Sequence, residues 1–113
     1  MRKDRKIVLM LSRMDKERKM LARTGLVLQG TVTEINISRD EKEGRRKYGP
    51  YYQWTFKRGG KTVTINLSAS QKNQFRKAIL NNRMAEAALE RMRTLSKKIL
   101  DSSTPGVKRR KKK

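Results

Sequence analysis

Residues Tyr51 to Ser68, YYQWTFKRGGKTVTINLS, constrain the fold more than any other stretch. Gly59-Gly60 is a two-residue loop of the kind a type I′ turn demands, because both central residues must take φ > 0. That turn sets a register: Arg58 opposite Lys61, Lys57 opposite Thr62, Phe56 opposite Val63, Thr55 opposite Thr64, Trp54 opposite Ile65, Gln53 opposite Asn66 and Tyr52 opposite Leu67. Side chains alternate across a strand. One face therefore collects Tyr52, Trp54, Phe56, Val63, Ile65 and Leu67. The other collects Tyr51, Gln53, Thr55, Lys57, Thr62, Thr64 and Asn66. Both strands split apolar from polar in the same register. The apolar face needs a cover, and the polar face raises the question of function.

A lone hairpin is marginal in water, so a third strand is needed. Leu26, Leu28, Gly30 and Val32 alternate with Val27, Gln29, Thr31 and Thr33, which predicts that strand. Ile35 and Ile37 fall one residue out of phase with it. A bulge near Glu34, or a change of strand partner, accounts for the slip. Ser38 to Pro50, SRDEKEGRRKYGP, is highly charged and contains Gly44, Gly49 and Pro50. It reads as an exposed loop between strands, with Arg45, Arg46 and Lys47 as either a solvated cluster or a phosphate clamp.

Two helices flank the sheet region. Over residues 1–23, Ile7, Met10, Leu11, Met14 and Leu21 recur at helical spacing. Asp4 caps this helix or favours its N-terminus, and Gly25 ends it. Its other face carries Arg5, Lys6, Arg13, Lys16, Lys19 and Arg23, a solvated basic face or a phosphate-contacting one. The second helix begins at a capping box, Ser68 with Gln71, and meets no Gly or Pro before Pro105. Phe75, Ala78, Ile79, Ala85, Ala88, Leu89, Met92, Leu95 and Ile99 form its apolar stripe. From Ser68 to Leu100 it would run roughly 50 Å at ~1.5 Å per residue. A six- to eight-residue strand spans only about 20–27 Å. The first half can cover the sheet, and the second half needs another partner. The N-terminal helix is one candidate, closing a core with the sheet, and a second copy acting through residues 84–100 is the other. The end, DSSTPGVKRRKKK, predicts a disordered basic tail over 104–113, with Lys108, Arg109, Arg110 and Lys111 as nonspecific phosphate contacts.

Charge enters here. Among 113 residues, 31 Lys and Arg stand against 10 Asp and Glu, a formal +21. A compact domain with that charge repels itself unless an anion neutralises it, and nucleic acid is the commonest such partner. There is no Cys and no His, which excludes disulfides, thiolate chemistry and the usual zinc ligand sets. The acids are scattered; Glu86 and Glu90, one turn apart, could share a metal but read instead as making i,i+4-type surface contacts, Glu90 with Arg93 among them. No catalytic site, metal or cofactor is expected. No apolar run approaches ~20 residues, and Ile7–Leu11 is too short for a signal peptide, so an intracellular protein is expected, cytoplasmic or nucleoid-associated, or nuclear in a eukaryote, with no membrane partner.

Gly30-Thr31, Gly49-Pro50-Tyr51-Tyr52, Gly60-Lys61-Thr62 and the helix from Ser68 together resemble an uncharacterised family of small basic prokaryotic proteins often linked to mobile elements. The resemblance covers about residues 25–100. The family shows a short Cys-containing loop and a His before Gly-Pro-Tyr-Tyr; here the cysteines are absent and Tyr48 stands in the His position. No metal role carries over. At fold level the order resembles the three-stranded-sheet-plus-helix DNA-binding modules of integrase arm-binding and AP2-type domains.

The expectation is an α+β chain, helix–strand–strand–strand–helix, with one domain over 1–103. The expected role is non-enzymatic binding of nucleic acid, DNA favoured over RNA. The expected contacts are Tyr51, Gln53, Thr55, Lys57, Thr62, Thr64 and Asn66 on the polar face, Arg58 and Lys61 at the hairpin tip, the 45–47 cluster and the tail. An RNA-binding role, or pairing through the long helix, are the alternatives.

Overall fold

The computed structural model describes residues 2–107, with side chains from Arg5 onward. The order is α1 (Arg2–Arg23), β1 (Thr31–Glu41), β2 (Gly44–Arg58), β3 (Lys61–Leu67) and α2 (Ala69–Ser103). This is the expected α-β-β-β-α arrangement. The strands form one antiparallel sheet in the order β1-β2-β3. Contacts divide the chain into two compact units, Gly25–Arg83 and Met1–Thr24 with Met84–Lys113. Each takes its own half of α2. A core of α1, sheet and α2 is expected from the sequence; buried apolar residues are found within each unit.

In the unit of residues 25–83, the β2–β3 register matches the expected one at all seven pairs. Gly59 and Gly60 take φ of 56° and 78°, as a type I′ turn requires. The Trp54 face meets α2. Trp54 stacks on Phe56 with ring centroids 3.9 Å apart and meets the edge of Phe75 at 5.4 Å. The Lys72 ammonium sits 4.4 Å from the centre of the Tyr52 ring. Leu67, Ala78 and Ile79 are buried. Ile65 is the exception on this face, at 45% exposure.

α2 starts as its sequence requires. The Gln71 amide N–H donates to Ser68 Oγ at 3.2 Å, and the Ser68 N–H donates to Gln71 Oε1 at 2.9 Å. Two of the donors that a helix start leaves unpaired are thereby satisfied.

Residues 25–29 depart from expectation. They form no strand; the ladder begins at Thr31. The backbone here bonds to the helix instead of to the sheet. The Leu28 N–H donates to the Ala78 carbonyl at 3.2 Å, and Asn81 Nδ2 donates to the Leu26 carbonyl at 3.0 Å. Trp54 Nε1 donates to the Gln29 carbonyl at 2.8 Å. Alternation alone cannot separate a strand from an extended segment whose partners are a helix and a ring.

The predicted loop over 38–50 is also corrected. It is exposed, as expected, but it is a β-ribbon. β1 and β2 pair as far as Glu41 opposite Gly44, around a two-residue turn at Lys42-Glu43. Gly44 takes φ 114° beside it. The register shift lies between Ile35 and Ile37, where Gly49 and Pro50 together oppose Asn36. The extra residue is thus on β2, not near Glu34. Gly49 is needed there: at φ 113°, a Cβ would stand 2.9 Å from the Ile35 carbonyl oxygen.

In the other unit, α1 runs antiparallel to the end of α2. Met10, Met14 and Leu95 form its buried core, with Ile7, Met92 and Ile99 packed against them. Ala88 on α2 is wholly buried. Of the predicted α1 stripe, Leu11 faces away and is 47% exposed. Arg91 Nε donates to Glu17 Oε2 at 3.0 Å, while its Nη2 lies 2.9 Å from Oε1. This pairing holds the Arg91 guanidinium proton more tightly than usual. Asp4 falls in the first turn of α1 rather than ahead of it. The N-terminal helix therefore supplies a partner for the second half of α2.

Candidate nucleic-acid interface

The sheet face opposite Trp54 collects the residues singled out from the sequence. Opposed residues in an antiparallel sheet share a face. Three strands therefore build rows: Thr31–Thr55–Thr64, and Thr33–Gln53–Asn66. Lys57 and Thr62 make a shorter row towards the tip. Gln53 Nε2 donates to Asn66 Oδ1 at 3.2 Å, and the Thr55 and Thr64 hydroxyls lie 3.2 Å apart. These cross-strand bonds hold the polar groups in a fixed plane. Tyr51, Lys57, Thr62, Thr64 and Asn66 are exposed; Gln53 and Thr55, flanked on both sides by neighbouring strands, are half-buried.

The isoleucines that fall out of phase also belong here. Ile35 is opposite Tyr51, and Ile37 is opposite Tyr48. Ile35, Ile37, Tyr51, Gln53 and Asn66 line one depression, together with Tyr52 and Leu67 of the other face at the end of the β2–β3 ladder. The open face is therefore not uniformly polar. It has an apolar corner with Tyr51, 48% exposed, at its edge.

The bulge has a directional effect. Without the extra residue, three positions of separation would put Tyr48 and Tyr51 on opposite faces. With it, both stand on the open side. The face then continues along the ribbon through Arg39, Arg46 and Tyr48. The Arg39 and Arg46 guanidinium groups stand 5.7 and 5.8 Å from the centre of the Tyr48 ring. The Tyr48 hydroxyl donates to a Glu41 carboxylate oxygen. That acceptor raises the Tyr48 phenol above its ordinary value, because losing the proton loses the bond.

Alternation also separates residues that stand together in the sequence. Of the 45–47 cluster, only Arg46 is on the open side. Arg45 pairs with Asp40 at 3.2 Å on the reverse of the ribbon, which Lys47 shares. At the tip, Arg58 lies 5.5 Å over the Phe56 ring, on the Trp54 side, and Lys61 is its strand partner. Lys108, Arg109, Arg110 and Lys111 lie outside the described residues. Sequence reasoning missed Thr31, Thr33, Ile35, Ile37 and Arg39. The first two follow once Val32 is set opposite Trp54; Arg39 is hidden by reading the ribbon as a loop.

No helix among the described residues is long and apolar enough to cross a membrane. Comparison with known proteins finds no matching family model, curated protein or solved structure.

Proposed function

We propose that this chain is a non-enzymatic nucleic-acid-binding protein that docks the open face of its sheet on duplex DNA. The observation that carries this reading is the three-stranded plane of Thr, Gln and Asn side chains, cross-bonded and exposed on its outer strands, in a chain of formal charge +21. A β-structure of this width enters the major groove, where amide side chains meet adenine edges and threonine methyls meet thymine. The Gln53–Asn66 bond leaves the Gln53 carbonyl oxygen and the Asn66 amide nitrogen outside it, an acceptor beside a donor. The basic side chains supply the sequence-independent part of the affinity.

Anisotropy of a labelled duplex, titrated from low to high salt, tests this. Affinity should fall with a log–log slope of about −0.9 per phosphate neutralised. Gln53→Ala with Asn66→Ala should weaken binding without changing that slope. No binding at low salt, or a slope near zero, would end the reading.

A second reading rests on Tyr51. An exposed ring on an open sheet can stack an unpaired base, as single-stranded RNA recognition requires. If an unpaired RNA strand outcompetes duplex DNA and Tyr51→Ala abolishes its binding, this reading replaces the first.

A further inference from the structure

We infer that the ribbon of residues 37–48 is a groove-entering arm, and that its Arg39–Tyr48–Arg46 face extends the DNA contact of the sheet into the major groove beyond the reach of β3. The inference rests on the duplex-binding reading above.

Three observations carry it. First, β3 has 7 residues against 15 in β2, so the ribbon has no third strand beside it and stands exposed. Five residue pairs, Ile37–Tyr48 to Glu41–Gly44, give a projection of roughly 17 Å. A two-stranded ribbon fits a B-form major groove, which is about 12 Å wide. Second, the bulge at Gly49-Pro50 opposite Asn36 keeps the ribbon's Tyr48 side in phase with the Gln53 side of the sheet. Both surfaces can therefore address one partner. Third, Asp40 and Glu41, the two acids on the strands of the ribbon, are already engaged, and Glu43 lies in the turn. Asp40 holds Arg45 on the reverse face, and Glu41 accepts the Tyr48 hydroxyl. Arg39 and Arg46 instead stand over the Tyr48 ring at cation–π distance, and neither makes an ion pair with a carboxylate among the described residues.

The cation–π placement has a functional consequence. An arginine alone loses rotamer freedom when it contacts DNA. Tyr48 limits that freedom beforehand and leaves the N–H edges of the guanidinium available for guanine or phosphate. Tyr48 is then a positioning residue for both arginines.

The experiment uses the full chain and a labelled duplex. Arg39→Gln with Arg46→Gln should lower affinity by at least about tenfold and make the salt slope shallower by about two contacts. Trp54 fluorescence melting should be unchanged, since both side chains are exposed. Tyr48→Leu keeps both charges; it should lower affinity severalfold with the slope intact, and Tyr48→Phe, which keeps the ring, should bind as the parent does. Duplex whose major groove is filled by glucosylated cytosines should bind the parent chain weakly and the double-glutamine variant no more weakly still. If the parent binds duplex and the double-glutamine variant binds equally well, the arm is wrong and the sheet reading stands. An equal loss in Tyr48→Phe and Tyr48→Leu would overturn the positioning role. If the parent binds no duplex at all, the proposed function itself fails.

Discussion

Trp54 donates its indole N–H to the Gln29 carbonyl at 2.8 Å, and the residue that follows Gln29 is a glycine because this contact leaves no room for another. A Cβ on Gly30 would stand 2.6 Å from Trp54 Nε1 and 2.4 Å from the Thr55 carbonyl oxygen, at φ 111°. Gly30→Ala therefore combines a steric clash with a backbone conformation that L-residues avoid. We expect a loss of about 2–4 kcal/mol in the stability of residues 25–83. Chemical denaturation followed by the fluorescence of the single Trp measures it. A variant as stable as the parent would show that the segment before β1 can move off the sheet.

The α2 start is a separate test. Ser68→Ala removes the acceptor for the Gln71 N–H. The expected cost is about 1 kcal/mol, and Ser68→Asp should restore most of it. Thermal melts by circular dichroism give both values.

In the helical unit, Ala88 has no exposed surface. Ala88→Leu overfills that site and should destabilise the unit by about 1–3 kcal/mol. Ala87→Leu, one residue away and exposed, should be nearly neutral. Equal effects at the two positions would contradict the packing described.

Tyr48 yields a titration. Its phenol is held above the ordinary 10.0 chiefly by the hydrogen bond to Glu41. A raised folded value means that the ribbon binds this proton more tightly than the unfolded chain does. The bond's contribution is present below pH 10 and fades as pH climbs through the raised value. A residue-resolved titration of Tyr48 should show it losing its proton late, and Glu41→Gln should bring that step to lower pH. A Tyr48 titration that is the same in the parent and in Glu41→Gln would exclude the bond in solution.

The parts of this fold that were legible in the sequence are those fixed by neighbours along the chain. Gly59-Gly60 and the split of aromatic from polar residues set the β2–β3 ladder. Ser68 and Gln71 set the start of α2, and each residue of its expected stripe from Phe75 to Ile99 is buried or half-buried. What was not legible depends on partners distant in sequence. Leu26, Leu28 and Gly30 alternate as a strand would, yet the carbonyls of Leu26 and Gln29 are taken by Asn81 and Trp54. The charged residues 38–48 look like a loop, because nothing in their composition shows that Ile37–Glu41 pairs with Gly44–Tyr48. At the candidate interface, the β2 and β3 side chains could be assigned to a face, whereas the β1 contribution required the register.

The two-against-one bulge works as a phase setter. Adding a single residue beside Asn36 would give each strand the same count and restore a regular ladder. Every ribbon side chain would then exchange faces, and Arg39, Arg46 and Tyr48 would project on the side of Trp54. With an uncharged residue inserted, net charge and both turns would be unchanged. One insertion at this point is thus enough to reverse the polarity of the surface, so the length of the chain here, more than the identity of any basic residue, decides where the charge is presented.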